Sequence, residues 1–117
     1  MRPVLAASAA LLLSAVPALA DDDVMATRYG NTVVVTYINT PEVHLYYNAD
    51  HTFTGKAIGM DVQIRGTWRI NDTDICMNYD PPPPRMTNPS CAPLEAHQIG
   101  DIWKYQGRTI TLVQGIQ

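Results

Sequence analysis

The chain has two cysteines, Cys76 and Cys91, and the segment between them holds five of its nine prolines. Such a pair can form a disulfide, supply a reactive thiolate or bind a soft metal ion. In a chain that leaves the cytoplasm, as residues 1–20 indicate below, two cysteines most simply form one disulfide. We therefore predict a Cys76–Cys91 bridge, with a free thiol or a metal thiolate as the alternative. The bridge closes a loop of about 16 residues and stabilises the fold by about 3 kcal/mol on the chain-entropy model, less if the prolines already stiffen the loop.

Other side chains suited to catalysis are sparse. Ser90 is the only serine after residue 20, and no motif activates it as a nucleophile. The three histidines, at positions 44, 51 and 97, fall in separate segments and do not suggest a shared metal ion. Asn71-Asp72-Thr73-Asp74 is typical of a turn, because a calcium loop needs more oxygen ligands at a wider spacing. We predict no catalytic residue, no metal ligand and no cofactor, and hence a protein that is not an enzyme.

Aromatic side chains offer binding chemistry instead. The chain contains six tyrosines, two tryptophans and one phenylalanine. Such residues can fill a core, close the ends of a barrel or line a cavity for an apolar ligand. We predict four candidates for a cavity lining, namely Tyr46, Phe53, Trp68 and Trp103.

The segment between the cysteines is a second candidate site. Asp80 and the four prolines that follow it favour an extended polyproline conformation, with Arg85 and Met86 in the middle of the loop. A stiff loop held at both ends loses little entropy when it docks on a partner protein. Arg85 and Met86 are therefore candidate partner-binding residues, and the alternative is a connector without a binding role.

The amino-terminal segment predicts export. Residues 1–20 combine Arg2, a short apolar run and the small residues Ala18 and Ala20 before three aspartates, which is typical of a cleaved signal peptide. The run is shorter than the roughly 20 residues that span a bilayer, and no cysteine near the cleavage point offers a lipid anchor. We predict a single domain over residues 21–117, without a membrane span, in the periplasm or outside the cell. A net charge of −3 without a basic patch argues against nucleic acid binding.

The elements that must position these side chains follow a period of two. Residues 62–70 alternate apolar and polar side chains, as expected of a strand with one buried face, and no segment carries a helical stripe. We predict an all-β fold, a small antiparallel barrel or half-barrel of seven to eight short strands with one disulfide. The candidate strands are 31–39, 43–47, 53–57, 62–70, 74–79, 97–99, 102–105 and 108–113.

Several of these segments carry a family-like pattern. Asp50-His51-Thr52-Phe53, Gly66-Thr67-Trp68 and the following Cys76 resemble the Asp-x-Thr-Phe, Gly-Thr-Trp and Cys pattern of small exported bacterial lipocalin-like β-barrel proteins, many of uncharacterised function. The resemblance covers roughly residues 43–115, and His51 stands where that pattern usually has glycine. It implies a β-barrel and transfers no catalytic residue.

These observations predict an exported, non-enzymatic binding module. It would hold a small apolar ligand in the barrel interior, or bind an envelope protein through the Cys76–Cys91 loop. The alternatives are a periplasmic inhibitor of a protease or a cell-wall lytic enzyme, and a structural envelope protein.

Overall fold

The computed structural model describes residues 24–117, so the predicted signal peptide, residues 1–20, lies outside the described range. A short 3₁₀ helix, Ala26–Arg28, precedes eight β-strands. The strands are β1 Thr32–Thr36, β2 Val43–Tyr47, β3 Thr52–Ala57, β4 Gln63–Asn71, β5 Asp74–Tyr79, β6 Ser90–Pro93, β7 Ile102–Tyr105 and β8 Arg108–Val113.

All strand pairs are antiparallel and form one sheet in the order β6-β5-β4-β3-β2-β1-β8-β7. The sheet curls into a nearly closed barrel, in which β6 and β7 face each other across a seam. The Tyr105 hydroxyl donates a long hydrogen bond of 3.5 Å to the Cys91 carbonyl, from one edge strand to the other. The predicted all-β antiparallel fold is confirmed.

Two strand predictions needed correction. The structure contains β6, which was not predicted, because proline usually excludes a segment from a sheet interior. Here Pro93 lies on an edge strand, where a missing N–H costs no ladder bond. The predicted strand at 97–99 is instead part of a turn, in which the Gln98 N–H donates to the Asp101 carboxylate at 2.9 Å and the Asp101 N–H donates to the Gln98 carbonyl at 3.0 Å.

The predicted disulfide is confirmed, and it joins directly paired residues of β5 and β6. Cys76 and Cys91 are register partners, with their Cα atoms 4.0 Å apart. The bridge therefore fixes the edge strand β6 to the sheet at the point where the proline-rich loop returns.

The barrel has two unlike ends, defined by the turns that lie there. The "closed end" carries the 3₁₀ helix and the β2–β3, β4–β5 and β6–β7 connections. The "open end" carries the connections at 37–42, 58–62, 80–89 and 106–107. None of the helices within residues 24–117 has the length and apolar character needed to cross a membrane.

The packed core lies toward the closed end. Its largest buried side chains are Trp68, Phe53, Met25 and Leu112, each no more than 2% exposed. The Trp68 indole N–H donates to the Asn48 carbonyl at 3.0 Å, which satisfies the polar atom that burial would otherwise leave unpaired. The amino-terminal 3₁₀ helix is fixed across this end, since the Thr27 hydroxyl donates to the carbonyl of His97.

Candidate functional site

A cavity of about 640 Å³ occupies the barrel interior and reaches the open end. Its volume is within the range of roughly 300–1,000 Å³ that small-molecule sites occupy. Inward-facing positions of the strands form its wall, because alternate residues of a strand face the same side of the sheet. The apolar residues of this wall are Val33, Val35, Val43, Leu45, Ile64, Ile75, Met77 and Ile110.

A buried arginine contributes to the cavity from the closed end. Arg28, the last residue of the 3₁₀ helix, lines the cavity and is only 6% exposed. Its guanidinium donates to the carbonyl of Val24 at 3.2 Å and to the carbonyl of Glu95 at 3.0 Å. Burial lowers the pKa of Arg28, an effect that the nearby Tyr47 and Glu95 partly oppose. The guanidinium nevertheless remains charged at neutral pH, because arginine does not deprotonate in proteins.

Tyr47 adds a polar group to the same apolar wall. Its side chain is buried, and its hydroxyl donates to the Met77 sulfur at 3.1 Å. Burial raises the pKa of Tyr47, with the neighbouring Tyr79 adding to the shift. The phenol therefore stays neutral and is available to the cavity only as a hydrogen-bonding group.

Trp103 lines the cavity and is held by two neighbours. The His97 ring stacks on its indole with 3.4 Å between ring centroids and 6° between planes. The Arg28 guanidinium carbon lies 6.0 Å from the centre of the indole. His97 is held in turn by the carboxylates of Glu95 and Asp101, at 3.3 Å and 3.4 Å. These contacts hold the indole at a fixed position in the wall.

The proline-rich loop forms part of the cavity mouth. Pro81 to Pro84 and Met86 line the cavity, whereas Arg85 does not. The loop is tied back to β5 by Asn88, whose side-chain oxygen accepts from the Tyr79 N–H at 2.8 Å and whose amide donates to the Tyr79 carbonyl at 3.2 Å. The two candidate partner-binding residues therefore differ in position, because Met86 contributes to the mouth and Arg85 is exposed away from it.

The structure separates the four candidate lining residues. Trp103 lines the cavity, while Phe53 and Trp68 lie in the packed core, 1% and 2% exposed. Tyr46 is on the outer face, where its hydroxyl donates to the Gln117 carbonyl at 2.7 Å. The placement of Tyr46 follows from strand alternation, since its neighbours Leu45 and Tyr47 both face inward.

Sequence reasoning missed Tyr47 and Arg28 as lining residues. The alternation of Val43, Leu45 and Tyr47 could have identified Tyr47, because these three residues share one face of a strand. No comparable signal marks Arg28, which lies in a three-residue helix and reaches the barrel only through tertiary contacts.

Within residues 24–117, no group of three or more His, Cys, Asp or Glu side chains converges as a metal site would require. Comparisons of the chain with protein-family models, with curated proteins and with solved structures find no match.

Proposed function

We propose that the protein is an exported, non-enzymatic binding protein that holds a small, largely apolar ligand inside its barrel. The observation that carries this proposal is the cavity of about 640 Å³, which is open at one end and lined mainly by apolar side chains. Sites for small molecules typically combine such a wall with a few fixed polar groups. Here the polar groups are supplied by Arg28, by tyrosine hydroxyls and by the arginines near the mouth.

The disulfide supports the export part of the proposal. Cys76 and Cys91 are bridged, and the described residues include no free cysteine. Disulfides form and persist mainly in oxidising compartments such as the periplasm and the cell exterior. This agrees with the signal-peptide pattern of residues 1–20.

The position of the proline-rich loop favours a ligand in the interior over a partner on the loop. Met86 and the four prolines border the cavity, so this face of the loop shapes the entrance. A loop that served as an inhibitor would need its central side chains free to enter a partner protein. Of the two central residues only Arg85 lies clear of the cavity mouth, and the loop is tied to β5 through Asn88 and the disulfide.

Two measurements test the proposal. Native mass spectrometry of protein purified from its own envelope fraction should show a bound small-molecule mass, and purified protein should bind the neutral fluorophore N-phenylnaphthylamine saturably at one site. A protein partner without a small molecule, or no bound species together with no saturable fluorophore binding, would contradict the proposal.

A pair of variants on β4 locates the binding. Ile64 faces inward and lines the cavity near the mouth, while Thr67 on the same strand is exposed on the outer face. Ile64→Trp should fill the cavity and abolish fluorophore binding, whereas Thr67→Trp adds the same ring outside and should leave it unchanged. Equal binding by both variants would place the ligand elsewhere on the molecule.

A further inference from the structure

The buried charge of Arg28 has no anionic partner among the described residues. Its polar contacts are two backbone carbonyls, and its charge faces the ring of Trp103. The Glu95 carboxylate favours the charged form of Arg28. That carboxylate, however, is paired with His97, and the Glu95 side chain is 57% exposed. Arg28 therefore differs from most buried arginines, which pair with a carboxylate.

This arrangement leaves hydrogen-bonding capacity at the closed end of the cavity. A guanidinium carries five N–H donors, and two of its nitrogens each serve one carbonyl here. Only 6% of the Arg28 residue surface is exposed. Water can therefore reach its remaining N–H donors only through the cavity that Arg28 lines. A buried charge is costly unless it is paired, and an anion inside the cavity would offset that cost.

We propose that the ligand is an anionic amphiphile, such as a long-chain carboxylate, whose head group pairs with Arg28 while its chain lies along the apolar wall toward the open end. This inference rests on the proposed binding function and specifies its ligand class. The wall between Arg28 and the mouth contains Val33, Leu45 and Ile64, which suit an alkyl chain. A carboxylate matches the planar fork of the guanidinium better than a single-point anion does.

Two other arginines line the cavity, but both lie at the open end. The Arg65 side chain donates to the Asp80 carbonyl, and the Arg108 guanidinium lies 5.1 Å from the centre of the Tyr37 ring. Arg65 is exposed and Arg108 is half-buried, so solvent screens their charges more than that of Arg28. Selectivity for an anionic head should therefore depend on Arg28 rather than on these two residues.

The test compares ligands that share one chain and differ in head group. Dodecanoate, dodecanol and dodecyltrimethylammonium are titrated calorimetrically into the mature protein at neutral pH. Concentrations stay below the solubility of dodecanol and the micelle concentrations of the two ionic compounds. Dodecanoate should bind about tenfold to a hundredfold more tightly than dodecanol, as expected of a hydrogen-bonded charge pair, and the trimethylammonium compound should bind most weakly. Arg28→Gln should remove the advantage of dodecanoate over dodecanol. Arg69→Gln, a control on the exposed outer face of β4 and away from the cavity, should preserve it.

The outcomes separate this inference from the proposed function. Binding of none of the three compounds would overturn both. Equal binding of dodecanoate and dodecanol to the wild-type protein would overturn the inference alone, as would a dodecanoate advantage that persists in Arg28→Gln.

A measurement on the wild-type protein covers the case in which Arg28→Gln does not fold. Dodecanoate labelled at its carboxyl carbon is followed by NMR as the pH is lowered. A head group paired with Arg28 should remain ionised to a lower pH than free dodecanoate, because the nearby positive charge favours the carboxylate. A bound head group that titrates like the free acid would place it in solvent and contradict the inference.

Discussion

Gly66 lies where the sheet has no room for a side chain. A Cβ atom at this position would be 2.0 Å from the Asn78 carbonyl oxygen and 2.9 Å from two carbons of the Phe53 ring. Gly66 pairs with Phe53 on one side and with Tyr79 on the other, in the middle of the β3–β4–β5 ladder. Since the nearest atom belongs to the backbone of β5, it cannot move without disturbing the pairing of that strand. Gly66→Ala should therefore strongly destabilise the barrel.

The size of the effect follows from the two clashes. Adding a methylene-sized group to a well-packed core typically costs about 1–3 kcal/mol. The added methyl group of Gly66→Ala would clash with a backbone carbonyl as well as with the Phe53 ring. We therefore expect a loss at the upper end of this range, about 3 kcal/mol. The gain from a less flexible unfolded chain, roughly 0.4–1 kcal/mol, is too small to compensate. For a domain of this size, about 3 kcal/mol corresponds to a fall in Tm on the order of 12–24 °C.

Urea unfolding followed by circular dichroism measures this loss directly. The matched control is Thr67→Ala, the next residue along β4, whose side chain is exposed on the outer face. The control should change the free energy of unfolding by less than about 0.5 kcal/mol, as surface substitutions usually do. A loss below about 1 kcal/mol for Gly66→Ala would refute the reasoning, because it would mean that β5 and the Phe53 ring can move aside easily.

Three further predictions concern the loop, the disulfide and the acid limit of stability. Asn88→Ala removes two hydrogen bonds to the Tyr79 backbone and should lower the urea-unfolding free energy by about 2 kcal/mol; an unchanged value would mean that water replaces both bonds. Reducing the Cys76–Cys91 bridge should lower stability by at most about 3 kcal/mol and preserve the β-sheet circular dichroism signal, whereas complete unfolding would show that the bridge holds the fold. Hydrogen bonds from the Thr52 side chain and backbone lower the pKa of Asp50, so its contribution to stability is present above about pH 4 and is lost as the pH falls through the lower folded-state pKa. The Tm of Asp50→Asn should therefore fall less than that of the wild-type protein between about pH 5 and pH 2. An equal fall in both proteins would mean that Asp50 does not contribute to the acid dependence of stability.

Much of the barrel could be predicted from alternation alone. The inward face of β4, with Gly66 and Trp68, follows from the period of two in residues 62–70, and the structure places Trp68 in the core. The edge strand β6 could not be predicted, because four residues that include Pro93 carry too little pattern. It is positioned by tertiary pairing with β5, to which the disulfide also joins it.

The candidate site was harder to predict because its polar centre depends on contacts distant in sequence. Arg28 reaches the cavity through a hydrogen bond to Glu95, 67 residues away. Tyr46 and Tyr47 are adjacent tyrosines in one strand, so only one can face the interior, and composition alone does not distinguish them. The alternation along the strand does distinguish them, because Leu45 and Tyr47 share the inward face. The strand face on which a residue lies is therefore more informative than its residue type.

A gradient of side-chain size along β2 and β3 contributes to the filling of the barrel at its closed end. The inward residues of β2 grow from Val43 through Leu45 to Tyr47 toward the closed end, while those of the neighbouring β3 shrink from Phe53 to Gly55 and Ala57 toward the open end. The width of a barrel is set mainly by its strand number and stagger, so it does not contract around smaller side chains. The smaller inward side chains of these two strands toward the open end therefore do not narrow the barrel, and Val43 lines the cavity there.

The cavity also has an energetic consequence. Side chains that border empty space lose the dispersion contacts that a filled core provides. A ligand that fills the space restores those contacts only in the folded protein, and a ligand that binds only the folded state raises its stability by mass action. An apolar chain that occupies the cavity beside Val43 and Ile64 should thus raise Tm with increasing ligand concentration. Ile64→Trp, which fills part of the same space from within the chain, should raise Tm without ligand and reduce the further increase that ligand produces.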